Sequence, residues 1–117
     1  MASTSITNTK IKFNLGVSAE DPVAVTSTSE GCVIDFSHSD SRILILLHNA
    51  DSSPFDVKVL AGNGIQGTND LSVNVAANKT TALVLESGAF MNVSGENKGK
   101  VKITGNTNLK VQAFELP

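Results

Sequence analysis

Arg42-Ile43-Leu44-Ile45-Leu46-Leu47-His48-Asn49 decides the fold class. Five consecutive large aliphatics leave no polar face, so the run reads as a central β-strand covered on both sides. It is too short for a membrane span. Asp40-Ser41 precedes it, and Asn49-Ala50-Asp51-Ser52-Ser53-Pro54 follows as a cluster of turn formers. In the next run Phe55, Val57, Val59 and Ala61 alternate with Asp56, Lys58 and Leu60. That period of two is a second strand, and the intervening turn predicts an antiparallel hairpin.

Outward from this pair the same pattern repeats. Lys10 to Val17 alternates, with Ile11, Phe13, Leu15 and Val17 on one face, and reads as a core-facing first strand. Val23–Thr26 and Cys32–Phe36 are short strands. Leu71–Val75, Thr80–Glu86, Ala89–Val93, Lys100–Thr104 and Leu109–Leu116 follow, separated by turns rich in Gly, Asn and Ser. Gly105-Asn106-Thr107-Asn108 is expected to close a hairpin between the last two. In the final run Val111 and Ala113 share one face while Phe114 and Leu116 share the other, which predicts a bulge or a change of sheet. Nine to ten short strands without a helical period imply an all-β protein. The expected architecture is an antiparallel β-sandwich, with Ig-like and jelly-roll topologies both open. Residues 1–9, rich in Ser, Thr and Asn, are expected as a flexible arm, and residues 10–117 as a single β-sandwich domain.

Composition narrows the function. The chain has 117 residues, 40% hydrophobic and 17% charged, which suits one folded domain. There are five Phe and no Trp or Tyr, so the core is aliphatic and the usual sugar-stacking platforms are missing. The net charge of −2 gives no footprint for nucleic acid, and no segment predicts a membrane span. Residues 79–117 hold five basic and three acidic groups, with Lys98, Lys100, Lys102 and Lys110 prominent. Such a distribution suits solvated strand faces or a polarised docking surface. Cys32 is the only cysteine, expected as a buried small hydrophobe rather than a nucleophile. The start of the chain has neither a charged n-region nor an apolar run, so no signal peptide and synthesis in a bacterial host cytoplasm are expected.

No catalytic or cofactor chemistry is predicted. Gly62-Asn63-Gly64-Ile65-Gln66-Gly67 matches G-x-G-x-x-G, but the next segment reads as a strand. Dinucleotide binding needs a helix N-terminus there. The glycines fit a compact surface loop, and scaffolded loops often carry contacts. His38 and His48, with one cysteine, make no common zinc site. His38, Asp40 and a serine could be drawn as a triad, but no nucleophile elbow accompanies them. The expectation is a protein that is not an enzyme and holds no metal or cofactor.

The segments Ala61–Leu71, Leu85–Phe90 and Val111–Pro117 resemble small virion-associated proteins of tailed bacteriophages and prophages. The resemblance covers residues 42–117. It implies a capsid decoration protein, bound to the outer surface of the major capsid shell in the virion and stabilising it. The implied partners are the major capsid protein and neighbouring copies, with a trimer one arrangement. Contact candidates come from the arm, at Ser3, Thr4, Ser5 and Ile6, and from the Gly62–Asp70 loop, at Asn63, Ile65, Gln66 and Asn69. Rival expectations are a tail, baseplate or fibre module, or a host-facing adhesion or carbohydrate-binding module.

Overall fold

A computed structural model describes residues 4–19, 21–28, 30–36, 43–62, 69–85, 90–95 and 98–116. Ten strands are present among them: β1 (Thr4–Ile6), β2 (Asn8–Lys10), β3 (Val23–Ala24), β4 (Cys32–Asp35), β5 (Ile43–Asn49), β6 (Phe55–Val59), β7 (Leu71–Val75), β8 (Thr80–Val84), β9 (Lys100–Thr104) and β10 (Leu109–Glu115). They form two sheets, one ordered β1-β4-β9-β6-β7 and the other β2-β10-β5-β8, with β3 also on β10. We call these the first and second sheet. Side chains alternate along every long strand. Ile34, Val57, Val59, Val101 and Ile103 of the first sheet meet Ile43, Ile45, Leu47, Leu109 and Val111 of the second in a dry aliphatic core.

The pairing from β3 to β10 is nested. β3 pairs β10, β4 pairs β9, β5 pairs β8 and β6 pairs β7, all antiparallel. This is one long hairpin folded back on itself. Rolling it up adds the contacts β5–β10 and β6–β9, also antiparallel. A rolled eight-strand hairpin in two sheets is a jelly roll, so the strand order selects between the two topologies compatible with the sequence.

The roll corrects both expected hairpins. β5 and β6 lie in opposite sheets, as do β9 and β10; of the nested pairs, only β6–β7 joins chain neighbours within one sheet. The turn chemistry was read correctly, but a turn of this length serves equally well to cross from one sheet to the other. β10 also runs opposite β5 without interruption from Leu109–Asn49 to Glu115–Ile43, so no bulge is present. Its change of apolar face has another meaning: Phe114 lies on the outer surface.

The start of the chain departs further from expectation. Residues 4–10 are not a free arm. β1 pairs β4 in parallel at the edge of the first sheet, and β2 pairs β10 in parallel at the edge of the second. These are the only parallel strand pairs among the described residues. The Asn8 side-chain amide donates to the Asp35 carbonyl at 2.8 Å, tying the sheets together where the run changes sheet. Conversely, the expected strand over 10–17 ends at its beginning. Ile11 still donates to the Glu115 carbonyl, but the chain then turns at Phe13 and Asn14, where Asn14 takes φ 55°. The weak strand formers Asn14 and Gly16 sit inside the apolar alternation and favour this outcome. The expected strand over 89–93 is reduced, in its described part, to an isolated bridge between Asn92 and Lys98.

Asn49 holds the β5–β6 crossing. Its side chain is fully buried. Its amide donates to the Ser53 carbonyl at 2.9 Å and the Val75 carbonyl at 3.1 Å, and its Oδ1 accepts from Asp51 N–H at 2.7 Å. Asn49→Leu keeps the volume and strands these three groups, so urea denaturation should show a loss of about 3 kcal/mol.

Candidate interaction surfaces

The two outer faces of the sandwich differ in character. On the first sheet the outward positions carry Ser5, Asp35, Asp56, Lys58, Ser72, Asn74, Lys100 and Lys102, with Val33 buried among them. The Lys102 ammonium sits 3.3 Å from Glu30 in a partly buried ion pair. This face is polar and mixed in sign. The basic residues of 79–117 do not gather into one patch, since Lys110 faces outward on the opposite sheet.

On the second sheet the outward positions grade from polar to apolar along the strands. Lys110, His48 and Thr80 form one cross-strand row, where His48 Nδ1 lies 2.9 Å from Thr80 Oγ1. Gln112, Leu46 and Ala82 form the next. Phe114, Leu44 and Val84 form an apolar row at the far end. Val84 is 52% exposed, and Leu44 and Phe114 are partly so. The core strand expected to be covered on both faces is, among the described residues, fully covered on one and half-buried on the other. Its inner residues Ile43, Ile45 and Leu47 are fully buried, while Leu44 and Leu46 line the outside.

The loop after β2 leaves the sandwich at the same end as this apolar row, because Ile11 bonds Glu115 next to Phe114. Phe13 is 78% exposed and Leu15 59%, with Val17 and Leu116 also exposed. Of the four residues expected to face the core from this stretch, Ile11 is half-buried beside β10, and Phe13, Leu15 and Val17 are corrected to an exposed surface loop. A half-exposed apolar row with an exposed apolar loop leaving beside it makes this end a candidate contact surface.

The expected contact residues divide. Ser3, Asn63, Ile65 and Gln66 lie outside the described residues. Thr4 is in β1, with its hydroxyl 3.3 Å from that of Thr26. Ile6 is a core residue, buried against the sandwich, and is not available to a partner. Ser5 and Asn69 are exposed. Asp70 closes the base of the β6–β7 loop by accepting from Ala61 N–H at 2.7 Å. Gly62 is held there because a β-carbon would run into the Met91 carbonyl. Sequence reasoning missed the Phe114–Leu44–Val84 row. The signal is the face change within β10, which the sequence alone reads as a bulge or a change of sheet.

Among the described residues no pocket opens, and no group of three or more His, Cys, Asp or Glu side chains converges. No helix of the structure is long and apolar enough to cross a membrane. No family model matches the chain, and neither a curated protein nor a solved structure matches it.

Cys32 is fully buried in β4, and burial pushes its thiol from 9.0 up to about 12. An unfolded chain loses this proton from pH 9 upward while the folded chain keeps it, so stability falls as pH rises from 9 through 12. A thiol reagent at pH 8 should label the native protein only at the rate of unfolding, and stoichiometrically in denaturant.

Proposed function

We propose that the protein is a bacteriophage capsid decoration protein, a binding protein rather than an enzyme. Its partner is the outer surface of the major capsid shell. The observation that carries this reading is the exposed apolar end of the second sheet, with Phe114, Leu44 and Val84 in one row and Phe13 and Leu15 on the adjoining loop. None of these side chains belongs to the buried core. The resemblance of residues 42–117 to small phage virion proteins supplies the partner. Jelly rolls are frequent among viral capsid domains, which supports the reading by analogy of fold alone. Decoration also suits a modest surface, because many weak contacts on one repeated lattice reinforce each other.

The same fold favours one alternative, since lectin domains are also jelly rolls. A glycan array tests that alternative, and a tail or baseplate role is tested with isolated tails. For the main proposal, the protein should co-sediment saturably with expanded empty capsids from its source and not with tails. The double substitution Phe13→Ser, Leu15→Ser should lower that affinity by about tenfold or more while shifting stability by less than about 0.5 kcal/mol. Binding unchanged by the double substitution would remove the apolar end as the docking site; no binding to heads would remove the proposal.

A further inference from the structure

Among the described residues the β8 edge of the roll is left open. β8 pairs β5 on one side, and among the described residues no strand covers its other side. The direction of its free hydrogen-bonding groups follows from the register. Asn49 N–H donates to the Lys79 carbonyl, so Asn49–Lys79 is a hydrogen-bonded pair of the β5–β8 ladder. Hydrogen-bonded and non-bonded pairs alternate in an antiparallel ladder. Leu47–Thr81 and Ile45–Leu83 are then bonded, while His48–Thr80, Leu46–Ala82 and Leu44–Val84 are not. The N–H and C=O groups of Thr80, Ala82 and Val84 therefore point away from β5 along the open edge.

Edges are normally blunted by charge, proline, a bulge or short length. β8 has five residues, Thr80-Thr81-Ala82-Leu83-Val84, with no charge and no proline. The neighbouring edge strand β7 turns Leu71, Val73 and Val75 inward and shows Ser72 and Asn74 outside. β8 instead shows Ala82 and Val84 to the outside.

We propose that β8 pairs with β8 of a second copy, antiparallel about a two-fold axis at Ala82, joining two second sheets into one continuous sheet. The three outward-pointing residues match under that symmetry. Ala82 lies opposite Ala82, and Thr80 lies opposite Val84 twice over, so that about six main-chain hydrogen bonds form. Thr and Val both favour strands, and the smallest side chain sits on the axis. Charge selects the antiparallel arrangement. The nearest charged residue before the strand, Lys79, falls opposite Leu85 of the other copy, so the two lysines stand at opposite ends, whereas a parallel pairing would set them side by side. Two five-residue strands bury less than the roughly 1,200 Å² at which stable interfaces begin. The dimer is therefore weak in free solution, with dissociation on the order of 100 µM.

This inference does not rest on capsid binding, and its test uses the protein alone. Sedimentation equilibrium from 10 µM to 1 mM, concentrations chosen to bracket that value, should show a monomer–dimer equilibrium. Amide hydrogen exchange should slow with concentration at Thr80, Ala82 and Val84 and nowhere on β7. Ala82→Pro removes an N–H that the monomer does not use, so it should leave the melting transition in place and raise the dissociation constant about tenfold or more. Ala82→Lys keeps the N–H, places two like charges at the axis and should have the same effect, which covers the case in which the proline variant fails to fold. A chain monomeric throughout the range, a dimer that neither variant weakens, or protection on β7 in place of β8 would each overturn the proposal.

Discussion

The structure depends on moving backbone between two sheets without stranding its polar groups, and Asn49 shows how this is done. At the end of β5 the chain must leave the second sheet and enter the first, and the exposed crossing turn is anchored at Asn49, whose side chain water does not reach. A buried peptide group without a partner is expensive there. The Asn49 side chain offers a donor amide and an acceptor oxygen, and it serves β7, the crossing turn and the approach to β6 at once. Its own N–H continues the ladder to Lys79. A similar device operates at the other side of the sandwich, where Asn8 donates to Asp35 as the first strands pass from one sheet to the other. With the crossings secured, the aliphatic core needs only shape. Valine, leucine and isoleucine supply it without aromatic bulk, since Phe36 is the only phenylalanine that is buried outright among the described residues.

Strand positions were largely legible in the sequence, because a period of two is a local property and survives in any sheet. β4 to β7, β9 and β10 fall where alternation places them. Pairing was not legible. Asn49–Pro54 and Gly105–Asn108 have the composition of hairpin turns, and nothing local distinguishes a turn within a sheet from one that crosses between sheets. Residues 4–10 and 11–17 failed in opposite directions for one reason. Thr4-Ser5-Ile6 has little apolar content of its own, yet it completes an edge that the rest of the roll leaves open. Phe13-Asn14-Leu15-Gly16-Val17 has the right alternation, but β2 and β3 already occupy the β10 edge beside it. Tertiary vacancy, not local propensity, decided both.

The candidate surface was harder to read because it hides inside a core signal. Leu44 and Leu46 belong to the most hydrophobic run in the chain, and an uninterrupted apolar run normally means cover on both faces. Here one face meets the core and the other meets the outside, in a row completed by residues from β8 and β10 that are distant in sequence. No window of sequence contains that row. The contrast with the first sheet, whose outer positions alternate polar and charged groups, appears only once the registers are known. A surface made this way belongs to the tertiary fold, and it forms only when β5, β8 and β10 are all in place.

The nesting also orders the assembly of the molecule in time. Closing a loop costs entropy that rises with its length. β6 and β7 are separated by the shortest connection of the nested set, and their pairing brings β5 and β8 near each other. That pair in turn shortens the path for β4 and β9, and so on outward to β3 and β10. Each pairing shortens the loop that the next must close, so loop entropy favours closure as a zipper from the innermost pair outward. Damage to the β6–β7 turn then slows folding, while damage to the outermost pair chiefly hastens unfolding. The Asp70 carboxylate, which closes that innermost loop on Ala61, stands at the point where the zipper starts.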